Sequence, residues 1–325
     1  MMKKAFVFIC LASFAALSFA KDAVMLRSGG ILRTDKGNGG VEWAASVPAG
    51  AVLSVESDKP VPLTMITTDK KYDNIMFYKV SYEGKKYYAR ESEIAFGKIA
   101  VITEDTTLFA TTKLSSFINA QLEAGTVVVA NENSHPAYNF SFEDELNLTD
   151  VKYYSENSGK VVMRYVFDTK VSSDKDDIKA VLMVDKALAL KDRAQKKELF
   201  KNAAKLTSGK EFSDYVAKSY DSVFGSVKAA NMVDLSGKVK TPDGSNVNLR
   251  EEPVDGKVVT QLSNGDEIYY SGNLWIVEVS REQSTFDNIT APWYCLENSN
   301  GDRCWIFGGY VELDVPIQLE KNEKK

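Results

Sequence analysis

Histidine is almost missing from this chain: His135 is the only one in 325 residues. Cysteine is scarce, at three, and proline stands at eight. A zinc site or a cysteine–histidine dyad needs imidazoles beside thiolates, and the sequence has little to build either from. The HExxH pair of zinc peptidases is absent. So is the GxSxG elbow that raises a serine nucleophile. Beyond the first 20 residues there is no long apolar run, which excludes a membrane-spanning helix of roughly 20 residues in the mature chain. An excess of positive charge is lacking too, with 40 Lys and Arg against 45 Asp and Glu, a net charge of −5. Nucleic acid, whose phosphates require a basic surface, is therefore not an expected partner.

What the N-terminus does contain is an export signal. Lys3 and Lys4 precede the apolar stretch 5–16, and Ser18-Phe19-Ala20 places small residues where a signal peptidase reads. Residues 1–20 are read as a signal peptide cleaved after Ala20, which sends the protein to the periplasm or outside the cell. Cys10 raises a lipid anchor, but Ile9 stands where a small residue is required and the apolar stretch runs past it. Loss of Cys10 leaves Cys295 and Cys304, an even count in an oxidising compartment, and a disulfide between them is expected. They flank Asn298-Ser299-Asn300-Gly301. A turn centred on Ser299 and Asn300 sets the two cysteines opposite one another, whereas one centred on Asn300 and Gly301 misaligns them.

The chain repeats itself. An apolar residue, two spacers and a glycine precede a β-rich run at Val47-Pro48-Ala49-Gly50, Leu122-Glu123-Ala124-Gly125 and Leu262-Ser263-Asn264-Gly265. A second glycine turn follows each, at Gly84, Gly159 and Gly301, and the interval from Gly50 to Gly125 equals that from Gly84 to Gly159. The third copy comes late, delayed by a segment of a different period. The reading is a mainly β chain of three small modules, at 21–97, 98–171 and 233–315, with a helical segment at 172–232 before the last and a charged tail at 316–325. Strand signals in the first module are AVML, AVLSV, IMFYKVSY and KKYYAR; in the second they are KIAVIT, TVVVA, VKYYS and KVVMRYVF. The second carries a polar loop, 131–150, whose Glu143, Asp144 and Glu145 lack calcium-loop spacing and read as a solvated insertion.

In 172–232, Ile178, Val181 and Leu182, then Ala194, Leu199, Ala203 and Leu206, then Phe212, Tyr215, Val216, Tyr220, Val223 and Phe224 recur as apolar stripes of successive helices. Ser208 with Glu211 forms a capping box ahead of the third, and Gly225 a stop. The basic stretch from Lys191 to Lys205 reads as a solvated face.

The third module carries a family resemblance. Asn246-Val247-Asn248-Leu249-Arg250-Glu251-Glu252-Pro253 resembles the opening of bacterial SH3 (SH3b) domains. GKVVTQLSNG, residues 256–265, resembles their second strand and turn, and Cys304-Trp305-Ile306-Phe307-Gly308-Gly309-Tyr310-Val311 their closing stretch. Cys304 stands where that family normally has glycine. The resemblance covers residues 240–313 and implies tandem SH3-like small β-barrels, the first two modules being divergent copies. It also implies binding rather than catalysis. Papain-like wall peptidases that carry such modules need a cysteine followed by a histidine, and His135 precedes both mature cysteines.

Aromatic residues concentrate in the third module, which holds three of the four tryptophans. Rings with polar tips suit sugar or peptide recognition. Tyr270, Trp275, Trp293 and Trp305 are the candidate ligand-binding residues, and Ile306, on the opposite face of its strand from Trp305 and Phe307, is the candidate core residue. The long segment 281–292 is expected to be a groove wall or an insertion without fixed structure. The expected function is that of an exported, non-enzymatic envelope protein binding cell-wall peptide, with an adaptor role toward envelope proteins as the alternative and a lytic enzyme using scattered carboxylates behind both. No cofactor or metal is implied.

Overall fold

The recurring glycine motif ties together two strands, and it does so identically three times. In the computed structural model, Gly50, Gly125 and Gly265 donate to the carbonyls of Met25, Ile102 and Val239 at 2.7, 2.8 and 2.7 Å. The amides of Met25, Ile102 and Val239 donate in return to Ala51, Thr126 and Asp266 at 2.9, 3.0 and 2.8 Å. All three glycines have φ between 81° and 96°, a region costly for residues with a Cβ. The motif is thus a turn locked to the end of one strand in each repeat, at Met25, Ile102 and Val239.

The structure describes residues 21–57, 59–67, 70–137, 146–207 and 209–320. The signal 1–20, the triplet 143–145 and Ser208 of the capping box lie outside them. Among the described residues the chain is mainly β with three α-helices.

The first repeat contains β1 (Lys21–Met25), β2 (Gly30–Gly37), β3 (Gly40–Val47), β4 (Val52–Val55), β5 (Val61–Ile66), β6 (Lys71–Tyr82), β7 (Lys85–Arg90) and β8 (Ile94–Phe96). Their order is β5-β3-β2-β7-β6-β4-β1-β8, and β5 also pairs with β6, so the pairings close a circuit. The second repeat contains β9 (Lys98–Ile102), β10 (Thr106–Phe109), β11 (Phe117–Leu122), β12 (Val127–Pro136), β13 (Asn147–Ser155), β14 (Lys160–Phe167) and β15 (Val171–Ser172), ordered β11-β10-β14-β13-β12-β9-β15. With β5 set aside, the two orders match position by position. Much of the expected polar loop 131–150 is strand, since β12 and β13 pair as far as Pro136 and Asn147.

Three helices follow: α1 (Lys175–Ala189), α2 (Arg193–Leu206) and α3 (Lys210–Phe224). Asp174 caps α1 by accepting from the amides of Asp176 and Asp177, and Asp192 caps α2 by accepting from that of Gln195, filling bonds that a helix start leaves open. α1 buries Ile178, Val181, Val184 and Ala187, and its partner α2 buries Phe200 and Ala203. α3 stops at Phe224, where the Gly225 amide bonds the carbonyl of Asp221 at 3.0 Å.

The last repeat contains β16 (Ser226–Lys228), β17 (Ser236–Val239), β18 (Val247–Arg250), β19 (Val258–Leu262), β20 (Glu267–Tyr269), β21 (Trp275–Phe286), β22 (Ile289–Glu297), β23 (Arg303–Phe307) and β24 (Val311–Leu313). Its two sheets, β16-β21-β22-β23-β18-β19 and β20-β17-β24, continue the same series, with β22 and β23 in the places of β6 and β7. β16 falls inside the segment read from sequence as helical. The tail read as starting at residue 316 is partly paired, since Ala229 bridges Leu319 and the Glu320 amide bonds Lys228 at 3.0 Å.

Each repeat has its own apolar core. The first centres on Met25, Leu32, Leu53 and Val80, the second on Ile102, Leu108, Val128 and Val151, and the third on Leu249, Ile268, Ile276 and Ile306. Two compact units part within α3, after Tyr215. α1 and α2 therefore belong with the first two repeats rather than forming a separate segment.

Candidate functional site

Strand alternation divides the residues of the last repeat between two faces. Ile276, Leu296, Cys304 and Ile306 lie in the apolar core. The opposite face holds Trp275, which is paired with Glu297, itself opposite Arg303, and the adjacent row, where Cys295 is opposite Trp305. Trp275 and Trp305 are thus on one face, each partly exposed, with charged residues between them. Tyr270 stands at its margin, 42% exposed, its ring edge-on to Trp275 at 5.8 Å.

The charges form a network. Arg303 donates to Glu297 Oε2 at 2.7 Å and to Glu278 Oε1 at 2.9 Å, and Ser226 donates to Glu278 Oε2 at 2.5 Å. The hydrogen bond to Glu297 raises the Arg303 pKa further, with Glu278 adding to it, so the guanidinium is a permanent charge held in one orientation. The face therefore presents ring surfaces and a fixed cation with its counter-charges together. Arg303, Glu297 and Glu278 were not among the residues singled out from the sequence. Glu297 and Arg303 flank the hairpin turn symmetrically, and that spacing was the available signal for a cross-strand ion pair.

Trp293 is a correction. It is 2% exposed, packed with Phe286 and Phe307, and its indole nitrogen donates to Ser284 Oγ at 2.9 Å. Its register matches the face of Trp305, but Phe286 and Tyr310 also pack on Phe307 and complete a four-ring cluster. Tyr310 donates to Asp287 Oδ2 at 2.5 Å, and that bond pushes its pKa up to about 12. Segment 281–292 is the end of the β21–β22 hairpin, pinned by this cluster, and not an unstructured insertion. Phe307 is buried along with Ile306, so both faces of β23 are covered at that end.

The expected disulfide is also corrected: Cys295 and Cys304 are free, and both are buried. Cys295 is opposite Trp305, and Cys304 is opposite Leu296, so the thiols point to opposite faces. The turn is centred on neither expected pair. Glu297 pairs with Arg303 around a five-residue loop, in which Asn298 Oδ1 accepts from the amides of Asn300 and Asp302. Centring the turn on Asn300 itself shifts the register by one residue. Burial pushes the Cys295 thiol up to about 12, with nearby Glu278 adding to it, and burial also raises Cys304. Both are protonated at neutral pH, the opposite of what a nucleophilic thiolate needs.

Among the described residues no three His, Cys, Asp or Glu side chains are grouped to hold a metal ion, and no helix is long and apolar enough to cross a membrane. His135 lies 3.5 Å from Asp150 Oδ1, and Asp150 also accepts from Asn131. Compared with known proteins, the chain matches no family model and no curated protein.

Proposed function

We propose that the protein is an exported, non-enzymatic binding or scaffolding component of the cell envelope. In this reading it is built from SH3-like repeats, and the last, an SH3b module, holds cell-wall peptide against the face bearing Tyr270, Trp275, Arg303 and Trp305. The observation that carries the reading is the placement of two partly exposed indoles on one sheet face with an oriented guanidinium between them. Such a face can stack on apolar parts of a peptide while Arg303 meets a carboxylate. Export through cleavage after Ala20 is part of the same proposal.

A pull-down of residues 21–325 on purified peptidoglycan tests it, beside Trp275→Ala and Trp305→Ala variants shown to remain folded. Retention of the native protein and loss of both variants is expected. Equal retention of native and variants would move the site off this face. No retention of the native protein would remove wall binding and favour an adaptor between envelope proteins. Release of soluble sugar from the wall would instead identify a lytic enzyme.

A further inference from the structure

A pocket of about 270 Å³ opens in the first unit. That is roughly nine waters' worth of space and somewhat under the usual range for drug-sized ligands. Its wall carries three carboxylates, Glu123, Glu156 and Asp185, together with Tyr154, Tyr215 and Ser28. No lysine, arginine or histidine lines it. Arg27, which feels the charge of Glu156, is bonded to buried Glu93 at 2.8 Å and lies over the Tyr154 ring at 5.7 Å.

Asp185 is the informative residue. It projects from α1, is partly buried, and has no hydrogen-bond or ion-pair partner among the described residues. Burial alone pushes its carboxyl up to about 6. A desolvated carboxylate with no partner is costly unless something positive arrives to meet it. A metal ion does not fit, because the carboxylates are not grouped closely enough to share one. A cation with an extended body does, since it spans separate carboxylates and sets its methylenes against tyrosine rings.

We propose that this pocket binds a small organic cation carrying a primary ammonium group, with Asp185 as the principal anion and Glu123 and Glu156 as flanking ones. Tyr154 and Tyr215 form the walls against which its carbon chain packs. The site lies in the first unit and does not depend on the wall-binding reading of the last repeat.

Calorimetry on the whole protein tests this, with the diamine putrescine as probe and the dicarboxylate succinate as control. Putrescine is expected to bind at about pH 8, where Asp185 is ionised, and succinate is not. Asp185→Asn keeps the shape and removes the charge, and is expected to weaken putrescine at least about tenfold. Lowering the pH to about 5 should weaken binding to the native protein and narrow its difference from the variant. Glu123→Gln, at an exposed position, serves as a second variant with little risk to folding and should weaken binding less. The proposal is overturned if the native protein takes up no putrescine, if succinate binds equally, or if both variants bind putrescine as the native protein does.

Discussion

The glycine turns of the first two repeats and that of the last share their backbone hydrogen bonds and differ in their surroundings. A Cβ at Gly50 would come within 2.6 Å of Leu182 on α1, and one at Gly125 would run into the Tyr215 ring on α3. At Gly265 it would meet nothing. The flanking residues differ most next to the glycine: Ala49 and Ala51, or Ala124 and Thr126, against Asn264 and Asp266, while Glu123 of the second turn is charged and exposed. Small and apolar neighbours let a helix approach the turn, whereas polar ones keep it in water. One backbone device thus serves as a docking point twice and as a plain surface turn once, and side chains alone make the difference.

The largest test of that contrast is alanine at each glycine. Gly125→Ala should destabilise by about 3 kcal/mol, since it adds the collision with Tyr215 to backbone strain. Gly50→Ala should cost about 2 kcal/mol, because the end of the Leu182 side chain can give way. Gly265→Ala should cost only about 1 kcal/mol, from strain alone. Denaturant midpoints measure all three, and equal losses would break the comparison. The double variant Gly125→Ala/Tyr215→Ala sharpens it, since a coupling near zero between the two changes would remove the docking contact from the account.

Asp185 contributes the next effect. Its folded-state pKa of about 6 stands above the ordinary aspartate value of 3.8 because of burial, so the folded protein disfavours the ionised form. The penalty is absent at low pH, grows as pH rises from about 4 to about 6, and is full above that. Taken whole, such a shift is worth roughly 3 kcal/mol, and solvent at a partly exposed group reduces it to about 1–2 kcal/mol. Asp185→Asn should therefore raise the melting temperature at about pH 7.5 and leave it unchanged at about pH 4. A loss of stability at the higher pH would contradict the absence of a partner.

Asn264→Ala should cost about 1 kcal/mol, because Asn264 Oδ1 accepts from the Thr241 amide at 2.9 Å. Finer still, a reducing agent should leave the melting temperature of the last repeat unchanged, since Cys295 and Cys304 are free. A drop on reduction would restore the disulfide.

Much of this was legible in the residues and some was not. The three turns were visible because positive φ selects glycine at a fixed spacing. The helices of 172–232 were visible because their apolar residues recur at three and four. The β2–β3 hairpin went unread, although Asn38-Gly39 between two alternating runs is a strong hairpin signal; Asn38 and Gly39 both take positive φ there. The parallel pairing of β3 with β5 had no local signature, because Gly40 and Thr64 meet only when the circuit closes. Trp293 and Trp305 have the same parity along adjacent strands, and sequence could not separate the covered one from the open one.

By itself the sequence determined the mainly β character, the repeat and the shortage of groups for metal or thiolate chemistry, because each depends on residue type or short-range spacing. Tertiary structure alone decided which glycine turns receive a helix, which tryptophan is enclosed, and where the cysteines point. It also decided that Glu123, Glu156 and Asp185 line one pocket. These depend on register and on contacts between residues far apart in the chain, where a shift of one residue reverses the face a side chain occupies.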